Sequence, residues 1–244
     1  MPVNWPAGCA VIIPCHNEAK AIEPLVRQIR VVLPQVIVVD DGSDDGTSLL
    51  AETAGARVIR HKGPEGKGAA LNTGWRAARE SGFLWTLSMD GDGQHSPADI
   101  PLFLIRAEAG TSPLIVGNRM IDPAPMPALR RMVNRWMSHR LSHLTGCLLP
   151  DSQCGFRLMR LDVWAEMSFQ TRHFEIESEL LVEFARRGHP IDFVPITVIY
   201  RDEGSKIRPG NDTVRWLRWW WHARRVKSPP DRKPGTTPAC APVT

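Results

Sequence analysis

In the first half of the chain, three short apolar runs lead into acidic clusters, and a helical stretch follows each. Ala10-Val11-Ile12-Ile13 leads into His16-Asn17-Glu18, Val36-Ile37-Val38-Val39 into Asp40-Asp41, and Phe83-Leu84-Trp85-Thr86-Leu87 into Asp90 and Asp92. Residues 18–32, with Asn17 as N-cap, then 46–54 and 67–81 read as helices, and Ala56–Arg60 as a further strand. Strands separated by helical segments predict βαβ units: an α/β chain with a mostly parallel central sheet and helices on both faces. Such sheets bind ligands beyond the carboxyl ends of their strands. Three acidic clusters at three such ends predict a site there.

The second half is less regular. Leu114–Gly117 reads as a strand, residues 123–127 as a proline-rich loop, 128–145 as a helix and Ile191–Tyr200 as extended. With 244 residues, 43% of them hydrophobic and 23% charged, the chain has material for one large core. The expected layout is a domain over 1–210, an amphipathic helix over 211–228 and a disordered tail over 229–244. Five cysteines form no CxxC pair, and neither a signal peptide nor a long apolar span is visible. A reducing cytoplasm is the expected setting. The formal charge of +4 comes largely from residues 213–233, which hold seven Lys or Arg against Asp231 alone. That concentration predicts a local basic surface, and no nucleic-acid partner is expected.

Asp90-x-Asp92-x-Gln94 carries the clearest chemistry. Hard divalent cations take oxygen ligands, and Mg²⁺ is commonly held by one or two carboxylates plus substrate phosphates. Two adjacent carboxylates repel unless one protonates or a cation intervenes. A calcium loop is excluded, because His95 and Pro101 stand where it needs Gly and Glu. The other reading is an acidic turn that caps the next helix. Asp40 through Thr47 could be a connection, or could offer a carboxylate to a base or ribose. Gly63-Pro64-Glu65-Gly66-Lys67-Gly68 fails both phosphate-loop and dinucleotide spacing, which leaves Lys67 solvated or touching an anion at a helix N-terminus. His139 and His143 lie i, i+4 without the glutamate of a zinc helix and read as packed or surface histidines. Residues 212–227, DTVRWLRWWWHARRVK, are too short and too charged to cross a bilayer. Their Trp and Arg suit either the membrane interface or packing on the domain.

Taken in order, IIPCHNE (12–18), VVDDGSDDGT (38–47), MDGDGQH (89–95), VGNRM (116–120) and DSQCGFRLMR (151–160) resemble the family-2 glycosyltransferases with a GT-A fold. The closest branch looks like the dolichol-phosphate mannose synthase-like, or polyprenyl-phosphate glycosyltransferase, group, with Cys154 in the place of a serine. FEIESELL (174–181) and VPITVIYRDEGSKIRP (194–209) fit the same branch. The resemblance implies a Rossmann-like nucleotide-diphospho-sugar transferase fold. It also implies that Pro14, His16 and Glu18 border the nucleotide and that Asp40 contacts base or ribose. Asp90 would face the donor, while Asp92 and Gln94 would hold Mg²⁺ or Mn²⁺. Arg119 and Arg131 would hold phosphates, and Arg201 and Lys206 would lie on a loop closing over them.

The function these readings imply is metal-dependent, inverting transfer of a hexose from a GDP- or UDP-sugar to a polyprenyl phosphate. The enzyme would be peripheral on the cytoplasmic membrane face, reaching the surface through residues 212–227. A lipid phosphate is already ionised and needs no base. With a hydroxyl acceptor on a lipid, glycan or small molecule, Glu175, Glu177 or Glu179 would be the place to look for one, although all three also suit a helix N-terminus. A non-catalytic nucleotide-sugar-binding module is the alternative from another class.

Overall fold

The computed structural model describes residues 3–123, 126–199 and 209–225. A seven-stranded sheet runs through it: β1 (Cys9–Cys15), β2 (Val36–Asp40), β3 (Arg57–Arg60), β4 (Trp85–Ser88), β5 (Leu114–Asn118), β6 (Arg157–Arg160) and β7 (Ile191–Pro195). The spatial order is β3-β2-β1-β4-β6-β5-β7. All pairings are parallel except the two made by β6, which runs against β4 and β5. The helices are α1 (Trp5–Gly8), α2 (Ala19–Val32), α3 (Thr47–Thr53), α4 (Lys67–Glu80), α5 (Ile100–Ala109), α6 (Ala128–Thr145), α7 (Leu161–Trp164), α8 (Ile176–Arg186) and α9 (Pro209–Ala223).

β1 and β2 are nearly continuous apolar runs because both faces of the sheet are covered. Val11, Ile12, Ile13, Val38 and Val39 are fully buried. The chain goes from β1 outward to β2 and β3, then returns through α4 to place β4 on the other side of β1. That reversal puts the topological switch point at the carboxyl ends of β1 and β4, where open α/β sheets bind ligands. Gly91, just past β4, is pressed so close to β1 that a Cβ there would stand 2.5 Å from Cys15 Sγ.

Asn17 is not the N-cap of α2. It adopts a left-handed φ of 55°, and Glu18 occupies the cap position without a side-chain cap bond. The loop after β2 caps this helix from a distance. Ser43 Oγ accepts the Asn17 N–H, Thr47 Oγ1 that of Glu18, and Asp45 Oδ2 that of Ala19. The turn-rich DDGSDDGT stretch thus supplies the acceptors that the first turn of a helix needs.

Candidate active site

Met89 follows β4 into the core, and the next residues form an acidic turn in which the Gln94 N–H donates to Asp92 Oδ1 at 2.9 Å. The cation that answers Asp90 belongs to the protein. Lys67, the first residue of α4, places Nζ 2.6 Å from Asp90 Oδ1 and 2.6 Å from Glu177 Oε1 on α8. Lys67 is therefore neither solvated nor poised at a helix end for an anion, and repulsion between Asp90 and Asp92 is not what calls for a metal. Burial alone would lower the Lys67 ammonium, but the two carboxylates reverse this and hold it above the usual lysine range. Burial would likewise raise Asp90; Lys67 outweighs it and brings the carboxyl to about 2.

Other groups close the cluster. Gly155 lies against Asp90 so tightly that a Cβ would meet Oδ1 at 2.6 Å. His95 is buried, is kept below the ordinary histidine value by burial, and accepts the Asp90 N–H at 3.4 Å. Arg157, fully enclosed, donates to the carbonyls of Ser152, Cys154 and Glu177. It thereby ties the SQCGFR segment to α8. Burial pushes the Cys154 thiol up to about 12, which makes it a packing residue and not a nucleophile.

The remaining expected site residues are distributed as follows. Arg119 forms a two-pronged pair with buried Asp151, Nε–Oδ2 and Nη2–Oδ1 both at 2.8 Å, and Asn134 of α6 donates to the same carboxylate. Arg131 is half-buried in the second turn of α6. Asp40 is fully buried; its carboxylate accepts the Ser43 N–H and the Ser48 hydroxyl, so the loop after β2 already occupies it. Asp41 accepts from the Glu65 and Gly66 backbone and contacts His61, fastening the 61–66 loop beside Lys67. His16 is exposed, with Nδ1 2.9 Å from the Asp41 carbonyl, while Pro14 and Glu18 are half-buried at the same strand end. Glu179 turns away from Lys67 and accepts from the backbone of Gln170 and Thr171 and from the Thr171 hydroxyl. Arg201 and Lys206 lie outside the described residues. The chain leading to them passes the site, since the Ile199 N–H donates to the Gln94 carbonyl at 2.9 Å. A cavity of about 350 Å³ opens between α3 and β3; Asp40 and Ser43 line it, whereas Lys67, Asp90, Asp92 and Glu177 do not.

Among the described residues no three His, Cys, Asp or Glu side chains gather as a complete metal cage. Asp92 and Gln94 nevertheless offer a carboxylate and an amide oxygen at a half-buried turn, a donor set that suits a hard cation completed by phosphate and water. Sequence reasoning misread Lys67 and missed Asp151 and Arg157, although the last two lie within DSQCGFRLMR, one of the segments that carry the resemblance.

The sheet order, the single antiparallel strand and the acidic turn beyond β4 define a GT-A fold. A solved structure of glucosyl-3-phosphoglycerate synthase from Mycobacterium tuberculosis, in complex with Mn²⁺, UDP-glucose and phosphoglyceric acid, superimposes with a TM-score of 0.72 at 22% identity, over 88% of this chain and 79% of that one. The family described as Glycosyl transferase family 2 matches residues 10–167, and the chain belongs to it. It is 30% identical over 230 residues to the undecaprenyl-phosphate mannosyltransferase of Micrococcus luteus, covering 87% of this chain and 94% of the relative. It is 32% identical over 203 residues to Glycosyltransferase AglJ of Haloferax volcanii, covering 82% of this chain and 66% of that relative. The chain is a glycosyltransferase whose relatives include polyprenyl-phosphate sugar transferases.

Proposed function

We propose that this enzyme moves a hexose, with inversion, from a GDP- or UDP-sugar to a polyprenyl phosphate at the cytoplasmic face of a membrane. The observation that carries the acceptor class is the fate of the three glutamates that could act as bases. Glu175 is paired with Arg215 at 3.4 Å, Glu177 is held by Lys67 at 2.6 Å, and Glu179 is spent on Gln170 and Thr171. An ionised phosphate acceptor needs none of them. A hydroxyl acceptor would need a carboxylate free to take its proton.

In this reading Asp92 and Gln94 hold Mg²⁺ or Mn²⁺, which supplies positive charge to the diphosphate leaving group. Asp90, fixed by Lys67 and confined by Gly155, presents its second oxygen to the donor sugar without rotating. Pro14, His16 and Glu18 border the nucleotide at the end of β1, and Asp40 acts there by shaping the loop as well as through any contact with base or ribose. Arg119 is held by Asp151, and Arg131 lies on α6, whose Asn134 binds the same carboxylate; together they give the acceptor phosphate a basic wall. Arg201 and Lys206 would complete the charge around the diphosphate. Residues 212–227 bring the enzyme to the lipid surface.

The test is transfer in detergent: purified protein, Mg²⁺, radiolabelled GDP- or UDP-hexoses and undecaprenyl phosphate, followed by organic extraction. Label in the lipid phase from at least one donor is expected. Its absence from every donor would reject the lipid-phosphate acceptor.

A further inference from the structure

His139 and His143 lie one turn apart on α6 and take no part in the site described above. They are surface residues, yet they do not behave as two separate ones. Both are exposed, their rings meet edge to face with centroids 4.4 Å apart, and the two Nε2 atoms stand 3.1 Å from each other. The i, i+4 spacing sets both side chains over one patch of helix surface. A hydrogen bond at that separation has one Nε2–H donating to the lone pair of the other Nε2.

The same separation is that of two ligands on one ion. Imidazole nitrogens bind Zn²⁺ at about 2.05 Å, so two of them 3.1 Å apart subtend about 98° at the metal. That value falls between the right angle of square-planar and octahedral sites and the tetrahedral angle of about 109°.

We infer that His139 and His143 form a bidentate site for a divalent transition metal of the Zn²⁺, Ni²⁺ or Cu²⁺ class. Neutral imidazole suits these ions, whereas Mg²⁺ and Ca²⁺ take oxygen ligands and gain nothing from a pair of ring nitrogens. The site is thus separate in chemistry, as in place, from the oxygen donors Asp92 and Gln94. For both Nε2 atoms to bind, the donating ring moves its proton to Nδ1; both rings stay neutral and no net proton is released. Residues 128–145 hold no acid or cysteine, so water completes the coordination shell. His143 lies in the last turn of α6, where the carbonyls carry partial negative charge that favours a cation. Of the neighbouring arginines, Arg140 lies over the Trp136 and Trp220 rings, and Arg135 is exposed to screening solvent.

The test titrates the full chain, without a histidine tag, with Zn²⁺ or Cu²⁺ in large excess of Mg²⁺. Calorimetry reads Zn²⁺ affinity, and paramagnetic resonance reads the nitrogens around the tightest-bound Cu²⁺. Wild type should bind both ions, and the Cu²⁺ spectrum should carry splitting from two nitrogens. His139→Gln and His143→Gln are exposed changes that leave the fold intact, and each should weaken binding about tenfold or more. Either variant should also reduce the spectrum to one nitrogen. His222→Gln, at another exposed histidine on α9, should change neither readout. Equal affinity in both α6 variants would put the ion elsewhere and overturn the inference, as would a one-nitrogen spectrum in wild type. Binding that Mg²⁺ competes away would assign the ion to oxygen ligands. No binding by wild type would leave the pair as a hydrogen-bonded couple; either result rejects the site.

Discussion

Lys67 joins Asp90 and Glu177 across 110 residues of chain, and all three charges are largely withdrawn from water. Removing one partner of such a cluster leaves the others uncompensated, which typically costs about 3–5 kcal/mol. Lys67→Met should lower stability by that order in urea denaturation and abolish turnover, because Asp90 and Glu177 then face each other unneutralised. Asp92 differs in kind. It sits at a half-buried turn and accepts only a local N–H among the hydrogen bonds of the described residues, so Asp92→Asn should leave the thermal midpoint of the free protein nearly unchanged. The same variant should lose the extra thermal stabilisation that Mn²⁺ gives a bound nucleoside diphosphate. A full Mn²⁺-dependent shift in Asp92→Asn would remove Asp92 from the ligand set.

At the scale of elements, α8 delivers three successive buried side chains to three tasks. Glu177 meets Lys67, Ser178 accepts from Trp216 of α9, and Glu179 binds the loop at 170–171. Glu179→Gln can still accept one loop N–H but loses the rest, and should cost about 1–3 kcal/mol while sparing most of the turnover. Glu177→Gln keeps an oxygen toward Lys67 and should retain turnover to within about tenfold if the acceptor is a phosphate. A general base replaced by an amide loses about a hundredfold or more, so steady-state rates separate the two acceptor classes. The loop after β2 acts as an element too. Its Ser43, Asp45 and Thr47 cap α2, which places the end of β1 and the end of β2 in one rigid corner.

For the whole molecule, Asp151 is the junction between the two halves of the site, taking Arg119 from beyond β5 and Asn134 from α6. Burial alone would raise its carboxyl, but the Arg119 guanidinium holds it below the usual carboxylate range. The unfolded chain therefore takes up a proton first as pH falls. This contribution to stability is complete above the unfolded value of about 3.9 and disappears as pH falls through the lower folded value. Asp151→Asn should be less stable at neutral pH by about 3 kcal/mol, with a shallower loss of stability in acid. Denaturation midpoints measured from neutral pH down to acid would show both. An acid limb as steep as that of wild type would reject the junction role.

The alternation of strands and helices in the first half, the three acidic strand ends and the segments that carry the family resemblance were legible along the chain, because each depends on neighbours a few residues apart. Residues 128–145 were recognisable as a helix from end to end. Which of its faces points inward was not, since periodicity gives the phase of an amphipathic pattern and not what packs against it. The same limit hid Lys67: its glycine-flanked position looked like a failed phosphate loop, and its two carboxylate partners lie on β4's trailing turn and on α8. By itself the sequence determined the parallel strands, their acidic rim and the family, but not β6, which runs antiparallel between β4 and β5. The tertiary structure alone decided which acid is neutralised from within and which remains for a ligand, because pairing of buried charge depends on distances that only the packed chain creates.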